Sequence, residues 1–200
     1  MNAILATIRG TSILGVDNDL PWNNGLQETK RCAITKLDMQ MFKYITHKSN
    51  VVIGKNTWLS IHSKPLKDRN THFVLTSNPE RMKSKYPNVI FLTMDDFKKN
   101  YMLQTPNLWC LGGAKIYNEL LPYCEQIYWN ELDFSYDEQK ILNHLSTNFS
   151  KEQIAKVKDT PITFCKKFNF LLASTSEISL NGYSLVSNLL IKNHLHGFKY

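Results

Sequence analysis

The chain has 200 residues, 42% of them hydrophobic and 20% charged. That balance describes one ordinary globular domain and excludes a fibre, a disordered tail or a scaffold too small to fold without disulfides or metal. Lys and Arg number 24 against 17 Asp and Glu, a formal charge of +7, which suits a polyanion or an anionic small molecule without choosing between them.

No apolar run approaches the roughly 20 residues that a membrane span needs. The opening MNAILATIRG has one short apolar run with no basic stretch before it, so secretion is not expected. In chain order, Ala3 to Ile8 reads as a strand, Asn24 to Thr35 as a polar surface insertion and Lys36 to Thr46 as a helix. Asn50 to Ile53 (strand), Asn56 to Ile61 (helix), Thr71 to Thr76 and Val89 to Leu92 (strands), Asp95 to Leu103 (helix) and Leu108 to Leu111 (strand) follow. Ala114 to Leu121 reads as a helix stopped by Pro122. Several strands are continuously apolar, as they are when both sheet faces are covered, and the alternation predicts a parallel α/β sheet with right-handed crossovers.

The end of the chain reads differently. Gln126 to Leu132, Phe170 to Ser179 and Tyr183 to Ile191 are strand-like, and Leu180-Asn181-Gly182 is a hairpin turn signal. Ser135 to Pro161 is polar and reads as a second surface insertion. The expected fold is α/β: a single domain over residues 1–192, a mostly parallel central sheet with an antiparallel C-terminal edge and flanking helices. It carries insertions at about 24–35 and 135–161 and ends in a tail, 193–200. Cys32, Cys110, Cys124 and Cys165 lie far apart without a Cys-x-x-Cys pair, the pattern of reduced thiols in a cytoplasmic protein, and no metal site is expected. His194 and His196 in the tail read as a solvated terminus.

Four features carry chemistry. Thr35-x-x-Asp38 has capping-box spacing at the start of a predicted helix, with Phe42 one turn on, so a carboxylate and an aromatic ring share a face. With Met39 and Tyr44 or Ile45 nearby, Asp38 is either the wall of an apolar pocket, where desolvation favours its neutral form, or an exposed capping residue. Gly54-Lys55-Asn56-Thr57-Trp58 follows a strand and opens a helix, a turn that either binds phosphate through glycine, free N–H groups and Lys55 or serves as a plain connection. Leu111-Gly112-Gly113-Ala114-Lys115-Ile116-Tyr117 is a second such turn, whose paired glycines permit backbone geometry closed to other residues, a cis peptide included. Two such strand ends in one sheet suggest a dinucleotide lying across them. Arg69, beyond Lys64-Pro65-Leu66, is either a bidentate clamp for a carboxylate or a surface arginine.

In order along nearly the whole chain, these pieces resemble the dihydrofolate reductase family. The resemblance runs through Ala3-Ile4-Leu5-Ala6, Ile13 to Trp22 with Leu20-Pro21-Trp22, Asp38 to Phe42, Val51 to Ile61, Lys64-Pro65-Leu66 with Arg69, Leu75-Thr76-Ser77 and Gly112 to Tyr117. It implies NADPH-dependent reduction of 7,8-dihydrofolate to 5,6,7,8-tetrahydrofolate, supplying one-carbon carriers for thymidylate and purine synthesis. It also implies dihydrofolate and antifolate-type small molecules as ligands.

By the same resemblance, Asp38 holds the 2-amino group and ring nitrogen of the pterin. Hydride passes to pterin C6, and N5 is protonated through water that Asp38 and Trp22 organise. The loop from Ile13 to Trp22 is then a mobile lid. Leu5, Ala6, Met39, Phe42, Ile61, Leu66 and Leu111 are the apolar walls, Lys64 and Asn130 adjoin substrate, and Arg69 takes the glutamate α-carboxylate. Ala6, Thr7, Ile13, Leu14, Gly15, Asn18, Asp19 and Leu20 border the nicotinamide half. Gly54 also belongs to the cofactor-binding set, and Lys55, Thr76 and Ser77 face the 2′-phosphate. Asn56, Thr57, Gly112, Gly113, Ala114, Lys115, Ile116 and Tyr117 cradle the diphosphate, with a cis peptide joining Gly112 and Gly113.

The chain departs from the family in three places. The spacing from Trp22 to Asp38 is long, and Glu28 stands nearer the usual distance; Glu28 has Cys32 rather than an aromatic four residues on, so Asp38 is preferred. Asn130 stands where a threonine is usual, and Phe134 to Lys166 is longer and differently worded. Two other readings compete: a pyrimidine reductase of riboflavin synthesis, for which Leu20-Pro21-Trp22 with Asp38 and Phe42 is not expected, and a binding module that has lost catalysis. No aromatic and basic RNA-binding motif is visible, so a nucleic-acid partner is not expected, and a monomer is.

Overall fold

A computed structural model describes residues 1–23 and 32–194. Ten strands are present among them: β1 (Asn2–Ile8), β2 (Ile13–Val16), β3 (Asn50–Gly54), β4 (His72–Leu75), β5 (Val89–Leu92), β6 (Leu108–Cys110), β7 (Gln126–Asp133), β8 (Ile154–Lys156), β9 (Phe170–Leu180) and β10 (Tyr183–Lys192). Eight form one sheet in the order β5-β4-β3-β6-β1-β7-β10-β9. The first six of that order are mutually parallel, and β10 and β9 close the edge antiparallel. Asn181 and Gly182, both at positive φ, make the hairpin turn between β9 and β10. The α/β sheet with its antiparallel edge is therefore as the sequence pattern predicts.

Six α-helices flank the sheet in the described residues: α1 (Ala33–Ile45), α2 (Lys55–Ser60), α3 (Met94–Asn100), α4 (Ala114–Leu120), α5 (Glu138–Asn148) and α6 (Pro161–Phe168). Alternate side chains of the continuously apolar strands divide between the two faces. Ala3, Leu5, Val52, Phe73 and Leu75 pack with Phe97 of α3, Ile116 and Leu120 of α4 and Phe164 of α6. Ile4, Val51, Ile53 and Val74 pack on the other face with Trp58 of α2 and with Phe42 and Ile45 of α1. Each such large side chain withdrawn from water contributes about 1.5–3 kcal/mol.

Three local expectations are corrected. Helix α1 begins at Ala33 and not after Thr35, because Ile34, fully buried, carries the first turn into the core. Thr35 is thus inside the helix, its hydroxyl donating back to the Cys32 carbonyl at 2.9 Å, and it caps nothing. Tyr44 is 85% exposed, leaving Ile45 as the apolar neighbour.

The third correction concerns Ser135 to Pro161, which is more than a polar surface insertion. Its α5 buries Ile141 and Leu145 against Ile8, Leu132 and Phe134, and its β8 pairs antiparallel with β2. The segment expected to be a loop from Ile13 is therefore strand in its first half, lengthened by Asp17 N–H to Gln153 O (2.9 Å) and Val157 N–H to Ser12 O (3.0 Å). After it, Thr160 and Thr163 form a reciprocal capping box that starts α6, and Asn169 in the left-handed region ends it. In the tail, His194 Nε2 lies 2.7 Å from Glu125, while His196 is outside the described residues.

Candidate active site

The carboxyl ends of the parallel strands face one rim of the sheet, and the order β3-β6-β1 sets two separate crossovers side by side there, the place where α/β sheets bind ligands. Helix α1 lies over β7 and β10 and turns Asp38 towards Asn130 of β7, which is in register with Ala6 of β1. Asn130 Nδ2 donates to Asp38 Oδ1 at 2.7 Å, with both side chains buried. Asp38 is the only buried carboxylate among the described residues. Burial pushes its pKa up to about 6, against which the Asn130 amide works in the lowering direction. Asn130 Oδ1 is itself buried without a hydrogen-bond partner, an arrangement that costs about 1–3 kcal/mol. Next in β1, Thr7 Oγ1 accepts a bond from Trp129 Nε1 at 3.2 Å.

Of the residues expected to wall the pocket, Leu5 and Leu111 are buried and Ala6, Phe42, Ile61 and Leu66 half-buried. Met39 lies on the rim at 36% exposure, and Lys64 is exposed. Glu28, the competing carboxylate, falls outside the described residues.

The two glycine turns touch each other. Gly54 N–H at the end of β3 donates to Gly112 O at 2.7 Å, and Gly112 and Gly113 are joined by a cis peptide. Both turns need glycine for space: a Cβ on Gly54 would stand 2.9 Å from Ile116, and one on Gly112, whose φ is +98°, 2.6 Å from the Tyr117 ring. A Cβ on Gly113 would come within 3.1 Å of Thr57 Oγ1, so α2 and α4 begin side by side. Beneath them Tyr117 OH donates to Ile4 O at 2.6 Å, and burial raises that phenol well above its usual pKa. Ile116 and Tyr117 are buried, whereas Lys55, Asn56 and Lys115 are exposed and Thr57 and Ala114 half-buried. Gly54 and Leu75 are paired in register, which brings Lys55 beside half-buried Thr76 and exposed Ser77.

On the remaining side, Ile13, Leu14 and Gly15 belong to β2. A tight turn follows, with Asp17 and Asn18 at positive φ and Val16 and Asp19 exchanging backbone bonds of 2.8 and 2.9 Å. Asp19 Oδ1 accepts from Leu20 N–H (2.7 Å) and Asn23 Nδ2 (2.8 Å). Trp22 is buried against Phe134, ring centroids 6.2 Å apart. A cavity of about 360 Å³ opens between this segment and α1, lined by Leu20, Trp22, Asn23, Thr35, Lys36, Met39, Gln40 and Lys43.

Arg69 reaches the C-terminal end of α1. Its guanidinium donates to Thr46 Oγ1 and to the carbonyls of Phe42 (3.5 Å) and Lys43 (3.4 Å), and it stands 5.4 Å from the Phe42 ring centroid. It forms no ion pair among the described residues. The sequence gives no sign of two further residues here: Thr46, which holds Arg69, and His72, whose Nε2 accepts the Leu66 N–H at 2.9 Å.

A covered parallel sheet whose rim carries two interlocked glycine turns and a lone buried carboxylate has the features of a dinucleotide-binding domain. A family model described as Dihydrofolate reductase matches residues 1–169. The chain is 28% identical to the dihydrofolate reductase of Buchnera aphidicola from Acyrthosiphon pisum, over 81% of this chain and 94% of that protein. It is 30% identical to the bifunctional dihydrofolate reductase-thymidylate synthase of Paramecium tetraurelia, over 74% of this chain and 29% of that protein. The fold matches a dihydrofolate reductase from Enterococcus faecalis, complexed with NADP(H) and RAB-propyl, with a TM-score of 0.67, covering 96% of this chain and 95% of that one at 19% identity. The chain belongs to the dihydrofolate reductase family.

Proposed function

We propose that this chain catalyses the NADPH-dependent reduction of 7,8-dihydrofolate to 5,6,7,8-tetrahydrofolate. The observation that carries the reading is the buried Asp38 held by Asn130 on the rim that also bears the Gly54 and Gly112-Gly113 turns. Those turns fit a dinucleotide, because their backbones lie where any Cβ would collide and so stay bare. NADPH, when bound, supplies the hydride that pterin C6 accepts. Gly54, Asn56, Thr57 and Gly112 to Tyr117 hold its diphosphate, Lys55, Thr76 and Ser77 its 2′-phosphate, and Ala6, Thr7, Ile13 to Gly15 and Asn18 to Leu20 its nicotinamide end.

Asp38 orients the pterin by accepting from its 2-amino group and ring nitrogen. With a pKa raised to about 6, it also retains a protonated fraction near neutrality and so favours proton delivery to N5, with Trp22 helping to order water. Asn130 fixes the carboxylate. Leu5, Met39, Phe42, Ile61, Leu66 and Leu111 exclude water around the rings, Lys64 adjoins the tail, and Arg69 takes its α-carboxylate. Dihydrofolate and antifolate-type molecules are the ligands; four free thiols suit a cytoplasmic location, and the protein is read as a monomer.

The test is NADPH oxidation with dihydrofolate. Asp38→Asn is expected to lose a factor of about 10² or more at pH 7, and Glu28→Gln to lose little. The reverse pattern would assign the carboxylate to Glu28. Absence of turnover in the wild type would favour a binding module.

A further inference from the structure

The connection from α2 to β4, residues 61–71, contains Ile61, Lys64, Leu66 and Arg69, yet it has no helix or strand of its own. Its later half is tied to the neighbouring chain by backbone bonds, Lys48 N–H to Asp68 O at 2.7 Å and Asn70 N–H to Ser49 O at 2.8 Å, and by the grip of Arg69 on the end of α1. Its earlier half is tied back to α2, His62 N–H to Leu59 O at 2.9 Å and Ser63 N–H to Trp58 O at 3.0 Å. Between the two halves, the Leu66 N–H crosses the loop to His72 Nε2, 2.9 Å away.

His72 opens β4 and is fully buried, followed by Phe73, Val74 and Leu75. Packing alone does not favour an imidazole there, since its Nδ1 is buried without a hydrogen-bond partner. Burial above all lowers the ring's pKa to about 4; the Asn70 backbone, the next largest influence, works in the raising direction, and the charge of Arg69 adds a smaller lowering effect. At neutral pH the ring is therefore uncharged, and Nε2 presents the lone pair that the Leu66 N–H needs.

We propose that His72 is a positioning residue for the part of the site that takes the carboxylate-bearing tail of the substrate. By holding the Leu66 N–H, it fixes the loop that presents Leu66 and Arg69, and so governs affinity for a tailed ligand and not the hydride transfer at the pterin. This rests on the reading of Arg69 as the carboxylate ligand. The tie spans six residues and joins the two halves of the loop at Leu66, so its removal loosens Leu66 and the stretch that leads to Arg69, whose own bonds to α1 remain.

The experiment compares His72→Leu, His72→Asn and His72→Gln. Glutamine places an amide oxygen near the position of Nε2; asparagine is too short to reach Leu66, and leucine has no acceptor. Thermal melting with and without NADPH selects the folded variants, and asparagine serves as the short variant should leucine fail to fold. In the folded Leu or Asn variant, KM for dihydrofolate is expected to rise about tenfold while kcat and the KM for NADPH stay within about twofold. His72→Gln is expected to recover most of the loss. Quenching of tryptophan fluorescence should show folate bound more weakly and a pterin without the benzoylglutamate tail bound as by the wild type. Unchanged dihydrofolate KM in a folded short variant, equal weakening of tailed and tail-less ligands, or a glutamine variant no better than asparagine would each overturn the proposal. Failure of the wild type to bind pterin or to oxidise NADPH with dihydrofolate would instead overturn the functional reading beneath it, and is seen before any variant is made.

Discussion

Asp38 sits where its own charge is disfavoured. Its pKa in the folded chain is raised from 3.8 to about 6 by burial, so its contribution to stability is fully present below about pH 4 and is lost as pH rises through 6. At pH 7.5 the ionised carboxylate therefore costs the empty domain at most about 3 kcal/mol. Asparagine at the same position keeps an oxygen for the Asn130 amide and carries no charge. Asp38→Asn is accordingly expected to melt higher than the wild type at pH 7.5 by a few degrees while being nearly inactive, and the difference in melting temperature should close as the pH falls to 4. A variant that melts lower than the wild type at pH 7.5 would show the buried charge to be compensated by something else. Asp38 was legible in the sequence because an acidic residue and an aromatic shared one helical face within a longer resemblance. Thr46, Asn130's bond to Asp38 and His72 were not, since each acts through a partner between 6 and 92 residues away and leaves no local pattern.

At the scale of elements, the strands and the helices that cover them were readable because continuous apolar runs and 3.6-residue periodicity are local signals. The stretch after Ser135 hid its structure. Only Ile141 and Leu145 mark the buried side of α5 among Gln, Lys, Asn and His, and β8 is three residues long. The register of β8 against β2 depends on a contact more than 130 residues apart, which no window of sequence reports. That pairing makes a checkable claim. Ala155, opposite Gly15, can be replaced by proline, which cannot donate to a ladder. Ala155→Pro is expected to speed amide hydrogen exchange at Gly15, opposite it, and at Asp17, whose N–H bonds Gln153 O, severalfold and to leave exchange in β3 and β4 unchanged. Uniform acceleration across the central sheet would mean that β8 supports the whole fold, and no acceleration would mean that β2 stands without it.

Across the whole molecule, the +7 charge suggested an anionic partner, and Lys55 and Arg69 supply a narrow use for two of those cations. Lys158, Lys166, Lys167 and Lys192 line the half of the chain that builds α6, β9 and β10, and for them the relevant feature is the sheet's last strand. β9 lies at the edge of the sheet, and every residue in it after Phe170 is exposed, Leu171, Leu172, Ile178 and Leu180 at 39–52%. Its single charged side chain, Glu177, is paired with Arg9 at 3.2 Å. Such an edge offers unpaired backbone groups and apolar side chains to any extended segment that approaches. Colloidal behaviour then depends on a contest between a sticky border and a like-charged surface: repulsion between copies holds them apart in dilute buffer, and added salt, with a screening length of about 8 Å at 0.15 M and 3 Å at 1 M, removes that protection. Light scattering is expected to grow with salt for the wild type and to stay flat for Ile178→Lys, so for this domain the gentle storage condition is low ionic strength.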